Sequence, residues 1–281
     1  MTELIDEHTK PLSRLDVWRA DLEILRSDYD AAEPFPHIVL DGALDEAVFA
    51  AAIAEFPDLE ADGWTGYLHV NEAKFGNTKP ETWGCTLQRV AKALTAPPFV
   101  SFLEQLTGID GLLPDRTMDG GGLHQTLAGG HLNVHTDFTA HHTVPGWRRR
   151  VNVLLYLNPD WDPAWGGDLE LWSADMGEAV TTVAPVGNRL LVFTTDETSL
   201  HGHPEPLRCP DGMARRSLAL YYFTSEPRVA VRSTTYRARP GDGWRRLTIA
   251  ADQVALRAYD GVKRRFKLSD VWVSRLLRRG R

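Results

Sequence analysis

The chain has 281 residues, 43% hydrophobic and 25% charged, with a formal net charge of -7 at pH 7. This is the composition of a folded globular protein, long enough for one large domain or for a core domain with a helical cap. The acidic balance argues against a nucleic-acid partner, and no apolar run approaches the length of a membrane span.

The polar, acidic start Met1-Thr2-Glu3-Leu4-Ile5-Asp6-Glu7 lacks the basic and apolar regions of a secretory signal. Cys85 and Cys209 stand far apart, and two free thiols in a reducing, cytoplasmic setting are expected, a lone bridge being the alternative.

Residues 1–111 read as a mainly helical support region. Leu15, Trp18, Leu22 and Leu25 recur at helical spacing behind Ser13, a candidate N-cap. Pro36-His37-Ile38-Val39-Leu40 is a short apolar run that suits an edge strand. Leu44, Val48, Phe49, Ile53 and Phe56 give a second helical stripe, and Leu87, Val90, Ala91 and Leu94 a third. A fourth helix is expected from Phe99 to Leu106, opened by Pro97-Pro98 and closed by Gly108. The aromatic segment from Trp64 to Trp83 takes no assignment.

From Gly120 the texture is that of strands. Val151–Leu157, Asp168–Trp172, Val180–Val183, Leu190–Phe193 and Ser217–Phe223 are apolar or alternating, with Gly166-Gly167 and Pro185-Val186-Gly187-Asn188 as punctuation. Short strands at this spacing suggest a sandwich or barrel, and helices before strands suggest an α+β fold with helices buttressing a sheet. Residues 112–226 are taken as this core. Residues 227–281 form a basic extension, expected to be helical at its end. Between Lys263 and Arg281 it has eight basic residues against Asp270 alone, with Trp272, Val273, Leu276 and Leu277 on one side. Its plainer reading is an amphipathic helix packed on the domain; recruitment of an anionic partner is the other.

The chemistry-bearing pattern is His135-Thr136-Asp137 with a distant His201 in Ser199-Leu200-His201-Gly202-His203-Pro204. In an extended chain residues i and i+2 point the same way, so His135 and Asp137 project together, with Asn133 on the same face. Two imidazoles and one carboxylate on one face of an octahedron leave three positions open, the ligand set of non-haem Fe(II) oxygenases. His203 competes with His201 for the third place, and a polar structural cluster is the rival reading. A second constellation supports the metal. Alternation places Arg215, Ser217, Ala219 and Tyr221 on one face of the last strand, where a guanidinium and a hydroxyl above small residues suit the distal carboxylate of a dicarboxylic keto acid.

Together, His135-Thr136-Asp137, Tyr156-Leu157-Asn158, Trp165-Gly166-Gly167-Asp168-Leu169, Pro185-Val186-Gly187-Asn188-Arg189, His201-Gly202 and Arg215-x-Ser217 resemble the Fe(II)/2-oxoglutarate-dependent dioxygenases, within them the prolyl 4-hydroxylase-like group. The resemblance implies a double-stranded β-helix (jelly-roll) core and His135, Asp137 and His201 as iron ligands. It implies Arg215 on the C5 carboxylate of 2-oxoglutarate, with Tyr156 and Ser217 assisting, and Tyr221 at the substrate pocket; Asn133 and Gln125 are further candidates for its lining. Fe(II), 2-oxoglutarate and O2 are the implied cofactor and co-substrates. The implied reaction is hydroxylation of an unactivated C–H bond, with succinate and CO2 as co-products. A carboxylate at position 137 fits hydroxylation rather than halogen transfer, which needs that iron position open. The substrate is a prolyl residue in a peptide or protein, or a small molecule such as an amino acid, sugar or natural-product intermediate. A cupin-like iron-binding or sensing protein without turnover, and a non-catalytic interaction module on the same scaffold, are the alternatives. Oligomeric state is not legible.

Overall fold

The computed structural model describes residues 11–12 and 14–266, with side chains as far as residue 256. Ser13 and the Trp272–Leu277 stripe therefore lie outside the described residues.

Two short helices, α1 (Leu15–Ala20) and α2 (Leu22–Ala31), replace the single one expected, because the chain breaks at Asp21. The Asp21 carbonyl accepts from the Ile24 and Leu25 amides and so opens α2. Strand β1 (His37–Asp41) follows, then α3 (Glu46–Ala54), whose Asp45 carboxylate caps the Ala47 amide at 2.9 Å. The unassigned aromatic segment is a hairpin of β2 (Trp64–His69) and β3 (Glu72–Asn77). Helices α4 (Cys85–Leu94) and α5 (Pro97–Thr107) come next, α5 ending on left-handed Gly108.

The strands after it are β4 (Leu113–Pro114), β5 (Gly122–Leu127), β6 (Leu132–Thr136), β7 (Trp147–Tyr156), β8 (Leu169–Trp172), β9 (Ala179–Val183), β10 (Arg189–Thr194), β11 (Leu200–His203), β12 (Ala214–Ser225) and β13 (Thr235–Tyr236). Helix α6 (Arg245–Phe266) follows them. All pair antiparallel, in the order β1-β10-β7-β12-β5-β3-β6-β11-β8-β9, with β2 on β3, β4 on β12 and β13 on β6. The sheet draws β1–β3 from before residue 112 and β13 from after residue 226, so it spans all three sequence regions. Gly122 makes the β3–β5 approach possible, since a Cβ there would collide with the Asn77 carbonyl.

The sheet rolls on itself as a double-stranded β-helix. Leu169, Leu171 and Val183 of β8 and β9 pack against Tyr156, Leu191 and Phe193 of β7 and β10, which are remote along the sheet path. The other face of β7, β10 and β12 carries Val153, Leu155, Leu190, Val192, Leu218 and Leu220 into a core with Trp18, Leu87, Leu94, Phe99, Phe102 and Leu103. This is why Leu190–Phe193 is apolar at every position: alternate residues serve two covered faces.

Helix α5 is the main buttress. Phe102 is fully buried, its ring 5.9 Å from both Trp18 and Phe99. Phe102→Ala is expected to destabilise the fold by about 3–5 kcal/mol through lost burial and a residual cavity, measured by urea unfolding.

Candidate metal centre and active site

The roll encloses a polar patch on its inner face. Strands β6 and β11 pair so that His201 lies directly opposite His135, with their rings 4.5 Å apart. Asp137 follows β6 and lies below both, Oδ1 3.7 Å from His135 Nε2 and Oδ2 3.6 Å from His201 Nε2. The three ligand atoms fall within 4.8 Å of one another. His203 is outside this cluster; it stands opposite Leu132, past an irregularity in the β6–β11 register, with a buried Nδ1 that meets no partner.

The donor set fits iron. His135 Nδ1 is 2.9 Å from the Asn133 carbonyl, and His201 Nδ1 is 2.9 Å from the Ser199 carbonyl. A carbonyl only accepts, so each Nδ1 donates and each Nε2 keeps its lone pair for a metal. Burial holds His201 neutral by pushing its pKa down to about 4, helped by His135 and opposed by Asp137. Asp137 is held well below the usual carboxylate range: burial works against its charge, but Arg149 and both histidines outweigh it. Its Oδ2 accepts from Asn152 Nδ2 at 2.8 Å and faces Arg149 Nη2 at 3.0 Å. Arg149 donates from Nε to Asn152 Oδ1 at 2.8 Å, and its guanidinium lies 3.3 Å over the Tyr221 ring.

A second subsite lies along β12 on the same face. Register places Ser217 opposite both Tyr156 and His124, and Tyr221 opposite Asn152. Arg215 is 6% exposed, yet among the described residues no carboxylate lies within ion-pair distance of it. Its Nε donates to the Gly167 carbonyl at 2.7 Å and its Nη2 to the Tyr156 hydroxyl at 3.3 Å. A Cβ at Gly167 would sit 2.6 Å from Leu207 Cδ2 and 3.1 Å from Arg215 Cδ, so only glycine lets this carbonyl brace the guanidinium. A buried cation without an acidic partner is costly unless an anion completes it, and a ligand carboxylate has the matching fork geometry.

Two of the expected lining residues do not line the pocket. Gln125 pairs with Phe75 and Arg216, which places it on the helix-covered face; its neighbour His124 faces inward instead. Asn133 turns its amide to Asn71 Oδ1 (3.1 Å) and the Val70 carbonyl, and serves His135 through its backbone. Arg149, Asn152, His124 and Lys74 had no place in the sequence reading. Asn152 was within reach of it, being four positions before Tyr156 on one strand face. Arg149 was not: a bulge between the Tyr222 and Phe223 pairings reverses the parity of β7 there and turns Arg149 inward.

Residues 121–223 match the family model of the 2OG-Fe(II) oxygenase superfamily. Among solved structures, a prolyl hydroxylase from Trichoplax adhaerens, in complex with a hypoxia inducible factor peptide fragment, matches with TM-score 0.54 and 18% identity, over 75% of this chain and 92% of that one. A Pseudomonas putida prolyl-4-hydroxylase matches with TM-score 0.53 and 19% identity, over 72% and 98%. No curated protein matches the chain. The fold is thus the jelly-roll of these enzymes, and the core is a 2OG-Fe(II) oxygenase domain. The likeness is one of fold to these prolyl hydroxylases and, over residues 121–223, of sequence to the 2OG-Fe(II) oxygenase superfamily, and the converging His135, Asp137 and His201 are a ligand set that suits iron.

Burial also lowers the His124 pKa to about 3, with Lys74 adding to the effect. Unfolded, His124 and His201 take up protons below about pH 6.5; folded, they resist until about 3 and 4. Stability of the metal-free chain is therefore full above pH 6.5 and falls as pH drops toward 4, by an amount on the order of 3 kcal/mol for His201. Urea unfolding of metal-free protein between pH 7 and 4.5 checks this. A midpoint constant across that window would show both imidazoles to be solvated.

Proposed function

We propose that this protein is a 2-oxoglutarate-dependent dioxygenase that hydroxylates an unactivated C–H bond, with succinate and CO2 as co-products, through a site in which His135, Asp137 and His201 hold Fe(II) and Arg215, Tyr156 and Ser217 hold 2-oxoglutarate. The observation that carries this reading is the buried Arg215, without an acidic partner, on the same inner face as the three converging ligands. Bound together, iron and the keto acid supply the O2-dependent oxidation; the protein positions them and shields the site from water.

Each side chain has a definable task. Arg215 takes the distal carboxylate, while the Tyr156 hydroxyl accepts from Arg215 and turns its own proton toward the same carboxylate. Ser217, opposite Tyr156, adds a hydroxyl. Asn152 and Arg149 fix the Asp137 carboxylate in orientation and keep it ionised. Phe193, 4.8 Å from the His201 ring, and Tyr236, 5.6 Å from the His135 ring, exclude water beside the ligands. Tyr221, beneath the Arg149 guanidinium, forms the wall that faces the substrate.

Two substrate classes suit this wall, a prolyl residue in a peptide and a small molecule. The Trichoplax protein is in complex with a peptide fragment; which class this chain takes depends on the residues of its own inner face. The two unbonded cysteines support a cytoplasmic setting. A sensor that binds iron without turnover gives no role to a buried, unpaired Arg215, and that disfavours it.

Asp137→Ala and His201→Ala are expected to abolish substrate-dependent succinate release. Arg215→Ala is expected to raise the 2-oxoglutarate requirement at least about tenfold, the scale of a lost charged hydrogen bond, while leaving iron loading intact. An unchanged 2-oxoglutarate requirement would remove Arg215 from the cofactor site.

A further inference from the structure

The hairpin β2–β3 contributes a charged pair to the inner face that the reaction as described does not use. Gly76 pairs with His124, so Lys74, two residues earlier, shares the face of His124, Ser217 and Arg215. Its side chain is 16% exposed. It therefore stands on the inner face, in the strand next to the one that carries His124, on the side of the sheet that holds the metal ligands and Tyr221.

The pair is built and braced from behind. Lys74 Nζ is 3.1 Å from Glu72 Oε2. Glu72 Oε1 is 3.0 Å from His69 Nε2, and His69 Nδ1 is 2.8 Å from Asp252 Oδ2 of α6. Asp252 also accepts from Asn71 at 2.6 Å. Glu72 is thus met by His69, by Lys74 and by the Tyr236 hydroxyl. An ammonium has three donors; Glu72 faces it on one side and the Tyr67 ring lies 5.9 Å away on the neighbouring strand. Lys74 therefore brings a cationic donor to this inner face, whereas an unmodified internal prolyl residue brings no charge to meet it.

We propose that Lys74 is a specificity-determining residue, and that the substrate is a small molecule bearing a carboxylate, such as a free amino acid, which Lys74 anchors beside the metal centre. This rests on the dioxygenase reading above and narrows its substrate class. A charge-assisted hydrogen bond in a pocket shielded from water discriminates strongly against an uncharged amide of the same shape.

The test uses the full chain loaded anaerobically with Fe(II) and 2-oxoglutarate, whose joint binding gives a visible charge-transfer band. Free L-amino acids and their carboxamides, L-proline and L-prolinamide among them, are titrated against that band. The preferred carboxylate should perturb it at concentrations at least about tenfold below its amide. Lys74→Met should reduce this preference to less than about threefold without shifting the 2-oxoglutarate titration, and Lys74→Arg should largely restore it. Because Lys74→Met strands Glu72, the double variant Glu72→Gln/Lys74→Met keeps the test open if the single variant fails to fold. Retention of the preference in the uncharged variants, a preference for amides in the wild type, or silence across the panel would overturn the proposal. A wild type that forms no band with Fe(II) and 2-oxoglutarate would instead overturn the dioxygenase reading on which it rests.

Discussion

The antiparallel pairing of β6 with β11 is the constraint on which this molecule depends. It sets His201 opposite His135, although the two are far apart in the chain, and it lets Asp137 close the triangle just beyond the end of β6. Neither strand could hold this geometry alone. The pairing survives because both strands sit inside a closed roll, where β8 and β9 pack on β7 and β10 and the helices cover the outside. Scaffold and site are thus one structure: the outer apolar core fixes the sheet, and the sheet fixes the spacing of the ligands.

Placing so many charged groups inside a roll is unfavourable unless each has a counterpart. The structure answers this group by group. Asp137 is met by Arg149 and Asn152, Glu72 by Lys74 and His69, and His69 by Asp252 of α6. His201 avoids the cost by remaining neutral, which is also the state in which it can bind a metal. Arg215 is left with neutral acceptors, the Gly167 carbonyl and the Tyr156 hydroxyl, and among the described residues it has no acidic partner, which is the charge a ligand carboxylate would supply. The C-terminal segment takes part as well, since β13 brings Tyr236 against His135 and α6 anchors the hairpin that carries Lys74.

Much of this was legible in the sequence because hydrophobic pattern and motif reported the same strands. The apolar run Leu190–Phe193 and the alternation through Arg215, Ser217 and Tyr221 became β10 and β12 with the faces expected. The β2–β3 hairpin was not legible. Its inner face carries Glu72, Lys74 and Gly76, so the polar residues of the short Glu-Ala-Lys-Phe alternation point inward, and β2, with Gly66 in its middle, has no clear alternation. Gln125 was misplaced for a related reason: among short strands with glycine at both ends, phase is set by partners, and the partner strand puts His124 inside. Arg149 depended on a bulge, which leaves no mark in residue type. The compositional break near residue 112 is real, but hydrogen bonding ignores it, since β3 lies between β5 and β6.

The central claim is that His135, Asp137 and His201 act together as one metal site. Anaerobic calorimetric titration of metal-free protein with Fe(II) in the presence of 2-oxoglutarate measures this directly. One ion per chain is expected, with that binding lost in His135→Ala and intact in His203→Ala. Tight binding that persisted in His135→Ala, or that vanished in His203→Ala, would contradict the account.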